Sequence, residues 1–339
     1  MSGVPASGEG ASTAARVRIM VRQDEEVRAE IRETLSASPR SIPCRFFYDA
    51  EGARLFEEIT RLEEYYPTRA EIEILSDYAG EIAGIVGPRV RMVEFGSGSG
   101  EKTWLVLDAL QTPSAYVPVD IAREQLLEFS ARVRERHPGL EVLPVVTDYT
   151  RLAELPWPEA DAGSTLAFFP GSTVGNLDPD EARRFLARVA GSLGSGEYFL
   201  IGVDLVKDRD RLERAYNDAQ GVTAAFNLNI LRHLNRRLGS DFKLDGFRHR
   251  AIWNEEESRI EMHLVSLVDQ VVHLGGAGDA GGPEADGITL ARDEVVVTEY
   301  SYKYRMEDVR SLARDAGYRP VKSWTDARGD FSVHLLEVQ

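Results

Sequence analysis

Short apolar runs alternate with amphipathic stretches through the middle of the chain. The apolar runs lie at residues 91–95, 115–120, 141–148, 165–172 and 198–205. Because they contain few polar positions, they predict strands that are buried on both faces, as in a parallel sheet. The stretches between them, such as 123–137 and 180–193, repeat their apolar residues at helical spacing. This alternation predicts a doubly wound α/β fold.

The pattern differs on either side of this region. Helical spacing predicts helices at residues 16–40, 55–66 and 70–86. After Leu205 the alternation stops, and a helical stretch is followed by strand-like runs before a last helix and two strands. We therefore predict an interrupted α/β domain and an added α+β domain. The predicted division is a disordered N-terminus at 1–20, the α/β domain at 21–205 plus 305–339, and the inserted domain at 206–304.

Charge and composition narrow the class of protein. The net charge of −16 disfavours nucleic-acid and anionic-membrane partners, because both carry negative charge. No apolar run reaches the ~18 residues that a membrane span needs, and the N-terminus has no signal-peptide pattern. A single cysteine, Cys44, suits a reducing cytoplasm. The six histidines are scattered, so we expect no metal site. A monomeric cytoplasmic enzyme that acts on small molecules is the leading expectation.

The stretch VEFGSGSGEKT, residues 93–103, carries the clearest chemical signal. Glycines stand at 96, 98 and 100 between a predicted strand and a predicted helix. The dinucleotide motif would need glycine at 101, and the P-loop spacing is also broken by Glu101. That carboxylate begins the helix where a pyrophosphate would bind, so it disfavours a phosphate ligand. Asp120 ends the next strand, where a carboxylate can accept hydrogen bonds from ribose hydroxyls.

Together these features predict S-adenosylmethionine, a nucleoside without a pyrophosphate. The alternative is a tight turn whose glycines only allow the helix and strand to pack closely. Asp148 and Tyr149, after the third strand, could contact the adenine or could simply cap the strand end. Lys102 could pair with the ligand carboxylate or with Glu101, and the sequence leaves both open.

Candidates for the second substrate lie after the fourth strand and in the added domain. Ligands of open α/β sheets bind outside the carboxyl ends of the strands, and Thr173 and Asn176 follow such an end. Asn176 could also be an ordinary turn residue. In the run VVVTEYSYKY, Glu299, Ser301 and residue 303 share one face by alternation, whereas Tyr300 should point away. On the pattern alone, a solvated face for Glu299 is the more common case. Three further residues, Met262, Tyr216 and Tyr66, fit either a core or a site.

Several stretches together resemble the histidine-specific S-adenosylmethionine-dependent methyltransferases. They include FFYDAEGARLFEEITRLEEYYPTRAEIEIL, VEFGSGSGEKT, FFPGSTVGNL, LERAYNDAQGVTAAFNLNIL and TEYSYKY, and the likeness runs from about residue 25 to the C-terminus. The resemblance implies a Rossmann-like class I methyltransferase sheet with an inserted substrate domain. It also implies trimethylation of the α-amino group of L-histidine to hercynine, the first step of ergothioneine biosynthesis.

The resemblance also assigns site residues by matching motifs. It implies that Tyr65, Asn176 and Tyr216 take part in catalysis, with the neighbouring Tyr66 kept as an alternative to Tyr65. Substrate-binding residues would be Tyr66, Phe56, Gly171, Thr173, Met262, Glu299 and Ser301. The cofactor side would use Tyr48, Gly96, Gly98, Lys102, Asp120, Asp148 and Tyr149. In the family, the glutamate and serine that match Glu299 and Ser301 contact the imidazole of the substrate. Tyr300 between them is larger than expected and bears on the shape of the pocket.

Three alternatives compete with this prediction. Within the family, the acceptor could be another α-amino acid such as tryptophan, although Met262, Glu299 and Ser301 favour histidine. A nicotinamide-dependent oxidoreductase would also use a glycine loop and an acidic residue like Asp120, but Glu101 argues against it. A cofactor-binding scaffold without activity is the non-enzyme alternative, and the intact loop GSTVGN at 171–176 argues against that.

Overall fold

The computed structural model describes residues 17–19, 23–98, 100–152, 154–155, 157–275 and 287–339. The strands are β1 (Arg18–Ile19), β2 (Arg40–Ser41), β3 (Val90–Phe95), β4 (Ala115–Asp120), β5 (Glu141–Val142), β6 (Val145–Val146), β7 (Ser164–Phe169), β8 (Tyr198–Asp204), β9 (Phe247–Asn254), β10 (Arg259–Ser266), β11 (Gln270–His273), β12 (Gly287–Leu290), β13 (Val295–Tyr302), β14 (Tyr318–Thr325) and β15 (Phe331–Val338). The helices are α1 (Asp24–Ser36), α2 (Ala50–Arg61), α3 (Tyr66–Val86), α4 (Glu101–Ala109), α5 (Arg123–Arg136), α6 (Pro179–Leu193), α7 (Arg209–Tyr216), α8 (Val222–Leu238) and α9 (Met306–Asp315).

The larger sheet has the order β1-β6-β4-β3-β7-β8-β15-β14 among the described residues, with β5 beside β4. In this spatial order, the neighbouring strands from β1 through β6, β4, β3 and β7 to β8 pair in parallel. Strands β15 and β14 pair with their neighbours in antiparallel fashion. The central strands are almost fully buried, as their continuous apolar runs predict. The predicted α/β fold with a mostly parallel sheet is therefore confirmed.

A second sheet has the order β2-β13-β10-β9 and packs with α7 and α8. The N-terminal segment belongs to the same apolar cluster, because side chains from Val27 to Tyr66 pack against α8 and the second sheet. Strand β2 even pairs with β13. The predicted division places this segment in the α/β domain. From these contacts we propose instead that residues 24–62 form one unit with residues 206–304.

Several predicted elements differ from the observed ones because the helix or strand is interrupted within the predicted range. The run 141–148 forms the short strands β5 and β6, because Pro144 between them has no N–H to donate to a ladder. The stretch 209–238 divides into α7 and α8, since Asp218 accepts hydrogen bonds from the first amides of α8. The predicted helix 16–40 is wrong at both ends.

The N-terminal prediction is also wrong in part. Arg18 and Ile19 form a strand that pairs with Val145 and Val146, because an extended segment satisfies the edge of the sheet there. The remainder of the predicted disordered segment, residues 1–16 and 20, lies outside the described residues.

Candidate active site

A cavity of about 690 Å³ opens at the carboxyl ends of the parallel strands. Its walls come from the loops after β3, β4, β6 and β7, from the N-terminal segment 41–68 and from β13. Such a position is where open α/β sheets bind ligands. We call the part formed by the first three loops the donor half, and the part formed by the β7 loop, the N-terminal segment and β13 the acceptor half.

The glycine loop shapes the donor half. Gly98 has φ 49° and nothing within 4 Å of the position of a Cβ, so its backbone borders open space. Gly100 has φ 81°, and a Cβ there would lie 2.0 Å from the ring of Phe129. One glycine thus leaves room beside the cavity, and the other allows α4 to pack against α5. The packing explanation therefore applies at Gly100, whereas the nucleoside explanation for the loop stays a prediction. Gly96 also lines the cavity.

Asp120 is held at the end of β4 by backbone amides. The amide of Ala122 donates to it at 2.8 Å and that of Gly98 at 3.4 Å. Burial raises the pKa of Asp120 above its ordinary value, although these amides favour the charged form. The carboxylate is therefore fixed in place, and it lines the cavity.

Glu94 lies beneath the glycine loop and also reaches the cavity wall. Its side chain is fully buried, and the hydroxyls of Thr103 and Tyr116 donate hydrogen bonds to it. Burial raises the pKa of the Glu94 carboxyl to about 8, against the effect of those two hydrogen bonds. Sequence reasoning did not select this residue, although a glutamate inside an otherwise apolar strand was a usable signal.

Asp148 and Tyr149 form the far wall of the donor half. One oxygen of Asp148 accepts a hydrogen bond from the amide of Thr150, whereas Oδ2 is buried and accepts none within the described chain. The Tyr149 ring packs edge-on against Phe169 and Phe185, with ring centres 5.4 and 5.6 Å apart. The pair therefore offers one carboxylate oxygen and an aromatic surface.

Lys102 pairs with Glu71 and not with Glu101. Its Nζ lies 2.5 Å from Oε2 of Glu71, a fully buried residue of α3. The same oxygen accepts the amide hydrogen of Gly171 at 2.8 Å. Glu71 therefore links the first turn of α4 to the loop after β7. The sequence could not reveal this, because α3 precedes the motif and its glutamates look alike.

The loop after β7 supplies the polar groups of the acceptor half. Thr173–Asn176 form a short 3₁₀ helix, and Gly171, Thr173 and Asn176 line the cavity. The Asn176 side chain makes no hydrogen bond within the described residues. Gly175 approaches β13 so closely that a Cβ would lie 2.7 Å from the Tyr302 carbonyl oxygen. Asp178 then caps α6 by exchanging hydrogen bonds with Glu181, which fixes the end of the loop.

Glu299 faces the loop from β13. It is half-buried, and its carboxylate accepts no hydrogen bond from any described residue. Burial raises the pKa of Glu299 to about 7, and the nearby Lys303 partly opposes this. The solvated face, which the strand pattern favours on its own, is therefore wrong. Tyr300 also borders the cavity, but its ring lies 3.8 Å from the Arg259 guanidinium and packs edge-on against Tyr302. The pairing from Glu299 to Tyr302 is regular, so the alternation holds there.

Aromatic residues of the N-terminal segment surround Glu299. Tyr48 and Tyr65 each pack edge-on against Phe56, at 5.8 and 6.3 Å between ring centres. All three line the cavity. Burial raises the pKa of both tyrosines well above the ordinary value, so each hydroxyl keeps its proton. The acceptor half thus combines one carboxylate with neutral hydroxyls and aromatic faces.

Four predicted site residues do not line the cavity. Met262 is 2% exposed and belongs to the apolar cluster of the second sheet, paired with Glu299 across the strands. The Tyr66 hydroxyl donates to the buried Asp204, which removes it from the wall. Tyr216 and Ser301 hydrogen-bond each other one layer behind Tyr65 and Glu299. Of the two adjacent tyrosines, Tyr65 is therefore the one at the cavity.

The described residues contain no helix long and apolar enough to cross a membrane. Within the same part of the chain, no group of three His, Cys, Asp or Glu side chains could hold a metal ion.

Comparison with known proteins identifies the family. Residues 27–338 match the family model described as histidine-specific methyltransferase, SAM-dependent. The histidine N-alpha-methyltransferase of Mycolicibacterium smegmatis is 42% identical over 92% of this chain and 94% of its own length. Ergothioneine biosynthesis protein 1 of Neurospora crassa is 30% identical over 95% of this chain and 36% of its own length. A 4-dimethylallyltryptophan N-methyltransferase of Epichloe festucae var. lolii is 27% identical over 90% of this chain and 92% of its own length. The chain belongs to the family of histidine-specific, S-adenosylmethionine-dependent methyltransferases.

Proposed function

We propose that this protein transfers three methyl groups from S-adenosylmethionine to the α-amino group of L-histidine, giving hercynine for ergothioneine biosynthesis. The observation that carries the proposal is Glu299, a carboxylate that accepts no hydrogen bond from the described residues and lies on the acceptor wall of a cavity whose other half suits a nucleoside. The identity of 42% to a histidine N-alpha-methyltransferase supports the same substrate.

The donor half fits S-adenosylmethionine by its chemistry. Asp120 can accept hydrogen bonds from ribose hydroxyls. Oδ2 of Asp148 lies 3.7 Å from Nε of Arg45 but accepts no hydrogen bond within the described chain, so it can accept one from an exocyclic amine. The Tyr149 ring offers an apolar surface to an adenine. Lys102 also lines the cavity, but its ammonium pairs with Glu71, so it would hold the ligand's carboxylate by sharing that group. When bound, the sulfonium supplies an activated methyl group.

The residues of the acceptor half would hold the amine in its reactive form. The nitrogen lone pair forms the new C–N bond, the C–S bond breaks, and its electron pair stays on sulfur. The nucleophile must be the neutral amine, and an α-amino group titrates near ~8, so part of it is already deprotonated. We propose that Tyr65 and Asn176 orient the amine and the substrate carboxylate, with no dedicated strong base. Orientation of this kind provides much of the rate enhancement in a displacement.

Glu299 would select the side chain. A carboxylate that accepts a hydrogen bond from an imidazole N–H leaves a buried charge unpaired when the substrate lacks that donor. The surrounding aromatic rings can then accommodate the growing trimethylammonium head. An acceptor such as a tryptophan derivative is the second candidate, because the relative from Epichloe festucae is named for one.

We also propose that the chain acts as a cytoplasmic monomer. Its net charge of −16 and its single, half-buried cysteine are in keeping with a reducing compartment and with small-molecule partners.

Mass spectrometry of a competition reaction tests the proposal. Purified protein is incubated with S-adenosylmethionine and an equimolar mixture of the standard amino acids. We expect histidine alone to gain methyl groups and to accumulate as the trimethyl product. Methylation of tryptophan instead would overturn the histidine assignment and keep the donor assignment. Binding of NADH in place of S-adenosylhomocysteine would overturn both.

A further inference from the structure

Glu71 lies behind the cavity wall, where the donor half meets the acceptor half. Its side chain is fully buried on α3, and it does not itself line the cavity. Its Oε2 atom lies 2.5 Å from Nζ of Lys102 and 2.8 Å from the amide nitrogen of Gly171. Both of these residues do line the cavity. One carboxylate oxygen therefore holds one group of each half.

Packing does not account for a glutamate at this position. Oε1 of Glu71 is buried and accepts no hydrogen bond within the described chain. It also lies so close to β8 that a Cβ on Gly202 would be 2.0 Å away. A buried carboxylate oxygen without a donor costs free energy, so the side chain is explained by the contacts of its other oxygen.

The two donors to Oε2 compete with each other. A carboxylate oxygen has two lone pairs, so Lys102 and Gly171 together occupy them both. The ammonium is the stronger donor, because a hydrogen bond between charged groups is stronger than one from a neutral amide. The more strongly Lys102 holds Oε2, the less electron density is left for the Gly171 amide. A change at Lys102 thus reaches Gly171 through one atom.

Lys102 has N–H donors left for a ligand. An ammonium has three of them, and among the described residues Nζ is paired with Glu71 alone. The carboxylate of the methyl donor would take one of the others. An ammonium that is shared between two carboxylates binds each less strongly, so its hold on Oε2 falls. The Gly171 amide is then held more tightly.

Gly171 begins the loop that carries the polar groups of the acceptor half. It has φ 77°, and the Thr173 hydroxyl donates back to the Pro170 carbonyl, so the loop starts in a tight turn. Asp178 fixes the end of this loop, and Glu71 fixes its start. A firmer hold on the start leaves less of the loop to be ordered when an acceptor binds.

We propose that Glu71 is a positioning residue that couples the two halves of the cavity. When the carboxylate of the methyl donor takes a share of Lys102, Glu71 holds the loop after β7 more firmly, and the acceptor binds more tightly. By linkage, the acceptor strengthens binding of the donor molecule by the same factor. The inference rests on the proposed function, because it needs a donor and an acceptor in the two halves.

The first test uses the unchanged protein. It compares S-adenosylhomocysteine with its decarboxylated form, which keeps the adenosine, the thioether and the amine. L-Histidine is titrated calorimetrically into protein saturated with either analogue. We expect about fivefold tighter binding of histidine beside S-adenosylhomocysteine, at the lower end of couplings between sites. A protein that methylates histidine but binds it equally beside both analogues would overturn the inference and keep the proposed function. A protein that binds no histidine would overturn both.

Hydrogen exchange measures the same coupling at its source. The exchange rate of the Gly171 amide is followed by NMR in protein labelled isotopically at glycine. We expect S-adenosylhomocysteine to slow this exchange about fivefold relative to the decarboxylated analogue, because the amide is then bonded more firmly to Glu71. Equal exchange rates with the two analogues would overturn the inference.

Variants then assign the coupling to Glu71. Glu71→Gln keeps the size of the side chain and removes the charge that pairs with Lys102, so we expect the fivefold ratio to fall below about twofold. Glu81→Gln is the matched control, because Glu81 lies on the same helix and pairs with Lys322 but does not line the cavity. Its ratio should stay at about fivefold. A merely structural role for Glu71 would weaken histidine equally beside both analogues and leave the ratio unchanged, which would overturn the inference. The measurements on the unchanged protein decide the matter even if Glu71→Gln does not fold.

Discussion

The two halves of the cavity are built in different ways. The donor half comes from consecutive strand ends, and its main polar group, Asp120, is held by backbone amides of its own and the preceding loop. The acceptor half is assembled from segments far apart in the chain, namely the N-terminal segment, the β7 loop and β13. Backbone geometry can be shared by many enzymes that use one cofactor, whereas assembled side chains can be specific to one acceptor.

The electrostatics of the halves differ as well. Asp120 has backbone donors on both oxygens, and these partly offset the burial that raises its pKa. Glu299 has no hydrogen-bond donor within the described residues, and its pKa of about 7 reflects burial that is only partly offset by Lys303. A ligand that donates to Glu299 should therefore gain more than one that donates to Asp120. The comparison predicts that the acceptor half is the more sensitive to substitution.

The largest effect should come from Glu299→Ala. Loss of a hydrogen bond to a charged group costs about 1.5–3 kcal/mol, so we expect histidine affinity to fall about 50-fold in calorimetric titration. Affinity for S-adenosylhomocysteine should change less than about twofold, because Glu299 lies on the acceptor wall. Unchanged histidine affinity would remove Glu299 from the substrate site. Glu299→Gln keeps an acceptor oxygen but no charge, so its histidine affinity should lie between those of the unchanged protein and Glu299→Ala.

A smaller effect is expected from Asp120→Ala. We expect affinity for S-adenosylhomocysteine to fall about 20-fold, since the variant loses a charged acceptor for the ribose. Asp120→Asn is the matched control, because its side-chain oxygen can still accept the Ala122 amide. Histidine affinity, measured with the donor site saturated, should stay within about twofold. An equal loss for both ligands would mean that the two halves do not act separately.

The smallest expected effect is a change with pH. Glu299 is ionised above its pKa of about 7, and only the ionised form accepts a hydrogen bond on either oxygen without first losing a proton. Histidine affinity should therefore fall as the pH falls through 7, by about tenfold between pH 8 and pH 6, as the ionised fraction drops. Glu299→Gln separates this step from the titration of free histidine, because the variant retains only the ligand's own pH dependence. Identical pH profiles for both proteins would contradict the raised pKa.

The sequence allowed prediction of those parts that depend on local pattern. Strand β4 has both predicted ends, and the glycine loop and Asp120 lie at the cavity as expected. The pattern could not reveal that Glu71 holds Lys102, because that pairing depends on how α3 packs against α4. Nor could the pattern reveal that Tyr216 and Ser301 lie behind the cavity wall whereas Tyr65 lies on it. These residues come from distant segments, and their depth is decided only when the helices and strands pack together. Lys303 shares the predicted face of Glu299, but its partner Asp204 lies on a strand of the other sheet.

A crystal structure with S-adenosylhomocysteine and L-histidine bound would show whether the two halves of the cavity hold donor and acceptor as proposed. We expect S-adenosylhomocysteine to lie along Asp120, Asp148 and Tyr149, and the imidazole to lie within hydrogen-bond distance of the Glu299 carboxylate. The α-amino nitrogen should then face the sulfur atom across the boundary between the two halves. Histidine bound elsewhere, with Glu299 open to solvent and no amine near the sulfur, would contradict it.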